Sequence, residues 1–147
     1  MAGSLRKKRG QRAPGHSVTR VIHFCYGHRL LGHRGKCRHL HGHNGVIEVT
    51  LRRRLDRLGM VMDFARIKAA VEGWVKAELD HRMLLNARDP LAAALRALGE
   101  PVVALPGNPT AENIARLVYA RARARKLPVL RVRLWETRDS AAQYPAA

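Results

Sequence analysis

Leu40-His41-Gly42-His43-Asn44 runs directly into Val46-Ile47-Glu48-Val49-Thr50-Leu51, whose alternating side chains read as a β-strand. If the extended backbone reaches back through the histidines, residues two apart share a face, and both imidazoles of His-Gly-His can reach one ion. Gly42 keeps the space between them open. A third imidazole, His28, follows Thr19 to Gly27, a stretch rich in β-branched and aromatic residues that predicts a second strand paired with the first. Between the two strands, Arg29 to Gly45 reads as a Gly-, His- and Arg-rich loop that places Cys37, His41 and His43 near His28.

Three neutral imidazoles suit Zn²⁺, and three protein ligands leave a fourth position for water or substrate, as in catalytic zinc sites. A blander reading competes with this one. Eight histidines in 147 residues fall close together somewhere by chance, and an isolated His-x-His more often decorates a surface. Cys37 is equally open, since a free cysteine is commonly a small buried hydrophobe and only sometimes a reactive thiolate.

The length fits one domain, and an apolar share of 46% is enough for a sizeable core. No apolar run approaches the roughly 20 residues of a membrane span, and no hydrophobic stretch of a signal peptide follows the basic start. A soluble, cytoplasmic protein is expected, with Cys25 and Cys37 as thiols. The formal charge of +17 predicts attraction to anions, whether nucleic acid, acidic surfaces or phosphorylated metabolites. Part of it lies in residues 1–18, where Arg6, Lys7, Lys8, Arg9 and Arg12 stand without an acid and read as a disordered tail before a single domain at 19–147. Aromatics are not interleaved with the other cations, as a single-strand nucleic-acid surface would require, so nucleic acid is not the expected partner.

Further along, Asp63 is placed to cap a helix in which Phe64, Ile67, Val71, Trp74 and Val75 recur at helical spacing as far as Leu79, with Phe64 and Trp74 assigned to the core. A shorter helix is predicted over Leu91 to Leu98, stopped by Gly99, and a brief apolar stretch over Val102 to Leu105. Thr110 is placed to cap a helix with Ile114, Leu117 and Val118 buried, and Glu112 falls in its first turn, where the dipole favours an acid. Val129 to Trp135 alternates as the last strand, Leu130, Val132 and Leu134 on the apolar face and Glu136 at its end. The order implies an α+β fold, an antiparallel four-stranded sheet with helices on one face.

Seven strings in order carry a specific resemblance: His28-Arg29-Leu30, Gly35-Lys36-Cys37, Leu40-His41-Gly42-His43-Asn44, Gly59-Met60-Val61-Met62-Asp63-Phe64, Leu79-Asp80-His81, Pro109-Thr110-Ala111-Glu112-Asn113 and Trp135-Glu136-Thr137. Over about residues 20 to 145 the chain resembles the 6-pyruvoyl-tetrahydropterin synthase and 6-carboxytetrahydropterin synthase family. The resemblance implies a T-fold whose subunits close a barrel and stack as a homohexamer. It also implies a zinc enzyme acting on 7,8-dihydroneopterin triphosphate, with His28, His41 and His43 as zinc ligands. Cys37 is implied as the base that takes a side-chain proton, its thiolate favoured by the cations around it. Asp80 and His81 match the acid-base pair, and Glu136 the carboxylate that anchors the pterin through paired hydrogen bonds. Thr110 and Glu112 are implied to line the pocket, although capping accounts for both nearly as well.

The chain departs from the family's common pattern in places. Tyr26-Gly27 stand where small alanines are frequent, Gly45 replaces an aromatic, and His33 and His39 are extra imidazoles near the metal. Cys37 argues against the branch that carries glutamate in its place. Within the family, the compact Cys37-to-His41 spacing favours 6-carboxytetrahydropterin, a lyase product made for the 7-deazapurine (queuosine) pathway, over 6-pyruvoyl-tetrahydropterin. A basic nucleic-acid-binding protein with a structural zinc is the reading from another class; it predicts a closed metal site, and no fourth protein ligand is evident.

Overall fold

A computed structural model describes residues 15–146. Its elements are β1 (His16–His28), a 3-10 turn (Lys36–Arg38), β2 (His41–Arg53), α1 (Phe64–Ile67), a π-helical turn (Lys68–Glu72), α2 (Gly73–Glu78), β3 (Arg82–Asn86), α3 (Pro90–Ala97), β4 (Val102–Leu105), α4 (Ala111–Ala124), β5 (Val129–Thr137) and β6 (Ser140–Tyr144). Most of the basic tail lies outside the described residues; of its last four positions, His16, Ser17 and Val18 already belong to β1.

β1 and β2 pair antiparallel along their whole length, with Ile22 opposite Ile47, Tyr26 opposite His43 and His28 opposite His41. The pleat sends Ile22, Phe24, Tyr26 and His28 of β1 to the same covered face as Ile47, Val49 and Leu51 of β2. β5 adds Val132 and Leu134 to that face, opposite Val49 and Ile47. Ile67, Val71, Val75 and Leu79 of the first helical segment close over it, together with Ile114, Ala115, Val118 and Ala122 of α4. Asp63 caps α1 by accepting from the Ala65 N–H at 2.8 Å, and Thr110 caps α4 by accepting from the Asn113 N–H at 3.2 Å, so both expected caps are present.

The sheet is larger than the sequence indicates. It has six strands in the order β4-β3-β1-β2-β5-β6. The antiparallel four are β1, β2, β5 and β6, while β3 and β4 are added in parallel beside β1. Two of these strands are too short or too plain to announce themselves: Arg82-Met83-Leu84-Leu85-Asn86 does not alternate, and Ser140-Ala141-Ala142-Gln143-Tyr144 has little β propensity. Glu136 therefore lies in the penultimate strand, one residue before its end. β2 also begins earlier than the loop assignment allowed, since His41 to Gly45 are already in the ladder.

Three further expectations are corrected. Phe64 is 51% exposed rather than core, because the first residue of a capped helix points away from the sheet, whereas Trp74 packs against the core. Leu130 is exposed and Val129 buried, since a register shift at Thr50/Leu51 reverses the alternation at the start of β5. Helices do not all share one face: Leu85, adjacent to the core residue Leu84 and so pointing oppositely, is buried outside the main cluster together with Ala92 of α3. Among the described residues no helix is long and apolar enough to cross a membrane.

Candidate metal centre

The last residue of β1 and the first of β2 form a register pair, so His28 and His41 lie side by side, and His43 follows on the same face two residues on. Ring centroids are 4.5 Å apart for His28 and His41, 5.1 Å for His28 and His43, and 5.2 Å for His41 and His43. One nitrogen from each falls within 4.8 Å of the other two. The strand pair needs glycine at position 42: a Cβ there would stand 2.9 Å from the Tyr26 carbonyl oxygen, which is backbone and cannot move aside.

Hydrogen bonds fix which nitrogens are free. His28 Nδ1 lies 2.7 Å from the Pro109 carbonyl oxygen and His41 Nδ1 2.8 Å from that of His39. A carbonyl only accepts, so each ring carries its proton on Nδ1 and leaves Nε2 as a lone-pair donor, an arrangement common behind metal-bound histidines. His28 Nε2 and His43 Nε2 are buried without a hydrogen-bond partner. Two buried ring nitrogens left without partners are costly unless something fills the space between them. Burial also pushes the His28 pKa down, against the opposing pull of the Pro109 carbonyl and Glu136, and so favours the neutral ring that a metal needs. The donor set, three neutral nitrogens with no thiolate among them, fits Zn²⁺ with a position left open.

Glu136 and Tyr26 complete the cluster. Tyr26 donates its hydroxyl to Glu136 Oε1 at 2.9 Å, and the same oxygen lies 3.8 Å from His28 Nε2. The Tyr26 ring stacks on Phe24 and stands edge-on to His28, 5.1 Å between centroids. Burial foremost, then the charge and hydrogen bond of Glu136, drive the tyrosine pKa far upward, so the phenol stays a donor.

The other predicted residues sit in separate elements. Cys37 is half-buried in the 3-10 turn, which is tied to the end of β1 by the Leu30 N–H bond to the Cys37 carbonyl at 2.8 Å. Cys25 faces the other way, its thiol 3.0 Å from Asn44 Oδ1, on the side of the sheet opposite the histidines. Asp80 and His81 form a corner between α2 and β3: Asp80 accepts from the Cys25 N–H at 2.8 Å and lies 3.1 Å from His81 Nδ1. Despite the upward push of desolvation, that N–H and Lys76 hold the Asp80 carboxyl below its ordinary value. His81 is held by its own N–H to the Cys25 carbonyl at a φ of 56°, with its side chain 79% exposed. Thr110 spends its hydroxyl on the α4 cap and Glu112 is exposed; the residue of that segment that meets the histidines is Pro109.

A cleft of about 810 Å³ has His41 and His43 in its lining together with Cys25, Asn44, His81, Met83 and Leu98. Residues of both sheet faces line it, so the metal centre is located by its donors and not by the cavity alone. Tyr26 and Pro109 are the site residues that motif reasoning passed over. Strand parity gave a usable signal for Tyr26, two residues before His28; nothing in the sequence marks a backbone carbonyl.

The profile of a family described as 6-pyruvoyl tetrahydropterin synthase matches residues 17–147. The chain is 45% identical over 100 residues to 6-carboxy-5,6,7,8-tetrahydropterin synthase of Rickettsia bellii (strain RML369-C), covering 66% of this chain and 72% of the relative. It is 32% identical over 136 residues to the Haemophilus influenzae protein of the same description, covering 86% and 96%. Among solved structures, an uncharacterised protein of Wolinella succinogenes superposes with a TM-score of 0.74 at 27% identity, covering 89% of this chain and 98% of that one. The Caenorhabditis elegans 6-pyruvoyl tetrahydropterin synthase gives 0.70 at 26% identity, covering 94% and 100%.

Proposed function

This chain belongs to the 6-pyruvoyl tetrahydropterin synthase family, and from that premise we propose that it is a zinc-dependent 6-carboxy-5,6,7,8-tetrahydropterin synthase. It converts 7,8-dihydroneopterin triphosphate and water into 6-carboxytetrahydropterin, acetaldehyde and triphosphate, in the cytoplasm and on the way to 7-deazapurines such as queuosine. The observation that carries the reading is the three-imidazole centre with its orphaned Nε2 atoms, in a chain whose relatives bear that name.

His28, His41 and His43 would hold the zinc, which when bound supplies a Lewis acid that acidifies the vicinal hydroxyls of the substrate side chain. Cys37 takes the side-chain proton from its place between Lys36 and Arg38 in the 3-10 turn. His81 serves as the acid-base partner, with Asp80 orienting its ring through Nδ1. Glu136 anchors the pterin by accepting from its amino group and ring N–H. The cationic surface supplies the counter-charge for the triphosphate.

We assign the protein to a homohexamer of T-fold subunits. The exposure of His81, and of Leu40 and Leu98 beside the open cleft, supports sites completed by a neighbouring copy.

Incubating zinc-loaded protein with 7,8-dihydroneopterin triphosphate and reading the products by mass spectrometry tests the proposal, with Cys37→Ala in parallel. 6-Carboxytetrahydropterin and acetaldehyde, absent from the variant, are expected. A 6-pyruvoyl product would keep the site and change the reaction, whereas no turnover by the zinc protein would remove the substrate assignment.

A further inference from the structure

Two departures from the family's common pattern, Tyr26 where a small residue is frequent and Gly45 where an aromatic is frequent, meet in space. Phe24 and Gly45 are register partners, as are Tyr26 and His43. A Cβ on Gly45 would lie 2.8 Å from Phe24 Cε1 and 3.0 Å from Tyr26 Cε1. The two rings stack at 4.9 Å across the space that a side chain at position 45 would fill. Gly45 is therefore the seat of the Tyr26 ring: the absent side chain leaves the room the ring occupies.

The seated ring carries its hydroxyl to Glu136. Tyr26 is 3% exposed, and its only side-chain hydrogen bond among the described residues is the 2.9 Å donation to Glu136 Oε1, from β1 across β2 to β5. A carboxylate at a strand end swings about its side-chain torsions unless something grips it. A buried, neutral phenol is a one-direction donor: it fixes Oε1 and leaves Oε2, with one lone pair of Oε1, free to accept from a ligand.

We propose that Tyr26, seated by Gly45, is a positioning residue that orients Glu136 to receive the cyclic guanidine edge of a planar 2-amino-4-oxo ring. The inference rests on the reading above, in which Glu136 anchors a pterin. Glu136 makes the contact, and Tyr26 acts through it.

The probe is pterin itself, the bicyclic ring without a side chain, titrated by fluorescence into the chelator-treated full chain so that neither zinc nor turnover enters the result. Tyr26→Phe keeps the ring and removes the hydroxyl. Its expected effect is a pterin Kd about tenfold weaker, equivalent to about 1.4 kcal/mol, with the melting temperature of the wild type. Glu136→Ala should weaken binding more, and Tyr26→Phe added to it should change nothing further, because the partner through which it acts is gone. Gly45→Ala is the second variant; it should weaken binding by displacing the ring, and again only while Glu136 is present. In turnover, Tyr26→Phe should raise KM with kcat unchanged.

Equal losses from Tyr26→Phe with and without Glu136, or no loss from Tyr26→Phe while Glu136→Ala weakens binding, overturn the positioning role and leave the function standing. If Glu136→Ala binds pterin as the wild type does, or the wild type binds none, the anchor reading itself falls and takes this inference with it.

Discussion

At one end of the β1–β2 ladder His28 faces His41; at the other His16 faces Arg53 and Ser17 faces Arg52. The hydrogen-bonded pairing is continuous between them, and both ends carry polar, nitrogen-rich side chains. At the first end the Pro109 carbonyl, Tyr26 and Glu136 close around the rings, and two imidazole nitrogens are left buried with nothing to bond. At the second, His16, Arg52 and Arg53 are exposed to solvent. The difference teaches that residue type does not make the site. His16, His23, His33 and His39 offer the same imidazole as the other three, yet all are exposed. What distinguishes His28, His41 and His43 is shared parity on one face of the ladder, with carbonyls that settle the tautomers of His28 and His41.

The largest expected effect comes from removing a ring at the covered end. His43→Ala should drop bound zinc, measured by elemental analysis after dialysis, to a small fraction of one equivalent per chain and cut turnover by at least about 100-fold; second-sphere changes alone cost about 10–100-fold. Retention of stoichiometric zinc by this variant would break the comparison. Next is Gly42→Ala, whose Cβ meets the Tyr26 backbone oxygen at 2.9 Å. It should destabilise by about 2–3 kcal/mol in urea titration.

Asp89 gives a third, pH-dependent effect. Its buried carboxylate receives the Arg29 guanidinium, with the Nε contact at 2.7 Å, and caps α3 through the Leu91 N–H. The Arg29 hydrogen bonds chiefly hold its pKa below the ordinary carboxylate value. That stabilisation is complete above the unfolded pKa of about 3.9 and disappears as pH falls through the lower folded value. Asp89→Asn should cost about 2 kcal/mol at pH 7, and the gap to the wild type should narrow in acid below pH of about 4. The smallest effects belong to the open end. A Cβ at Gly15 meets only the flexible Arg52 side chain, nearest at 3.2 Å, so Gly15→Ala and Arg53→Ala should each stay within about 0.5 kcal/mol and leave zinc content unchanged.

The covered end was the more legible in sequence. The alternation through Val46 to Leu51 and the motif around His41 and His43 gave the strand, its face and the third imidazole, because strand parity is a local property written every two residues. Asp63 and Thr110 gave their helices for the same reason. Non-local facts were harder to read. β3 exists because Arg82 to Asn86 lies beside β1 and β4, and its own sequence shows no period. β6 is held by β5 rather than by propensity. Phe64 looked like core because helical spacing does not reveal where a helix first touches its sheet. The Tyr26–Glu136 bond joins residues 110 positions apart, although the departure at Tyr26 was visible as a residue out of pattern.

One consequence follows from the Pro109 and His39 carbonyls behind the imidazoles. Rings already turned by the backbone, on strands zipped together for thirteen positions each, surrender their rotational freedom when the chain folds and not when an ion arrives. The core beneath them is aliphatic and aromatic and contains no link that a metal must close. In contrast to small domains that collapse around their zinc, an ion bound here would be a late arrival in a finished room. Which divalent ion settled there would then be decided by supply and by the taste of three imidazoles, without the fold casting a vote.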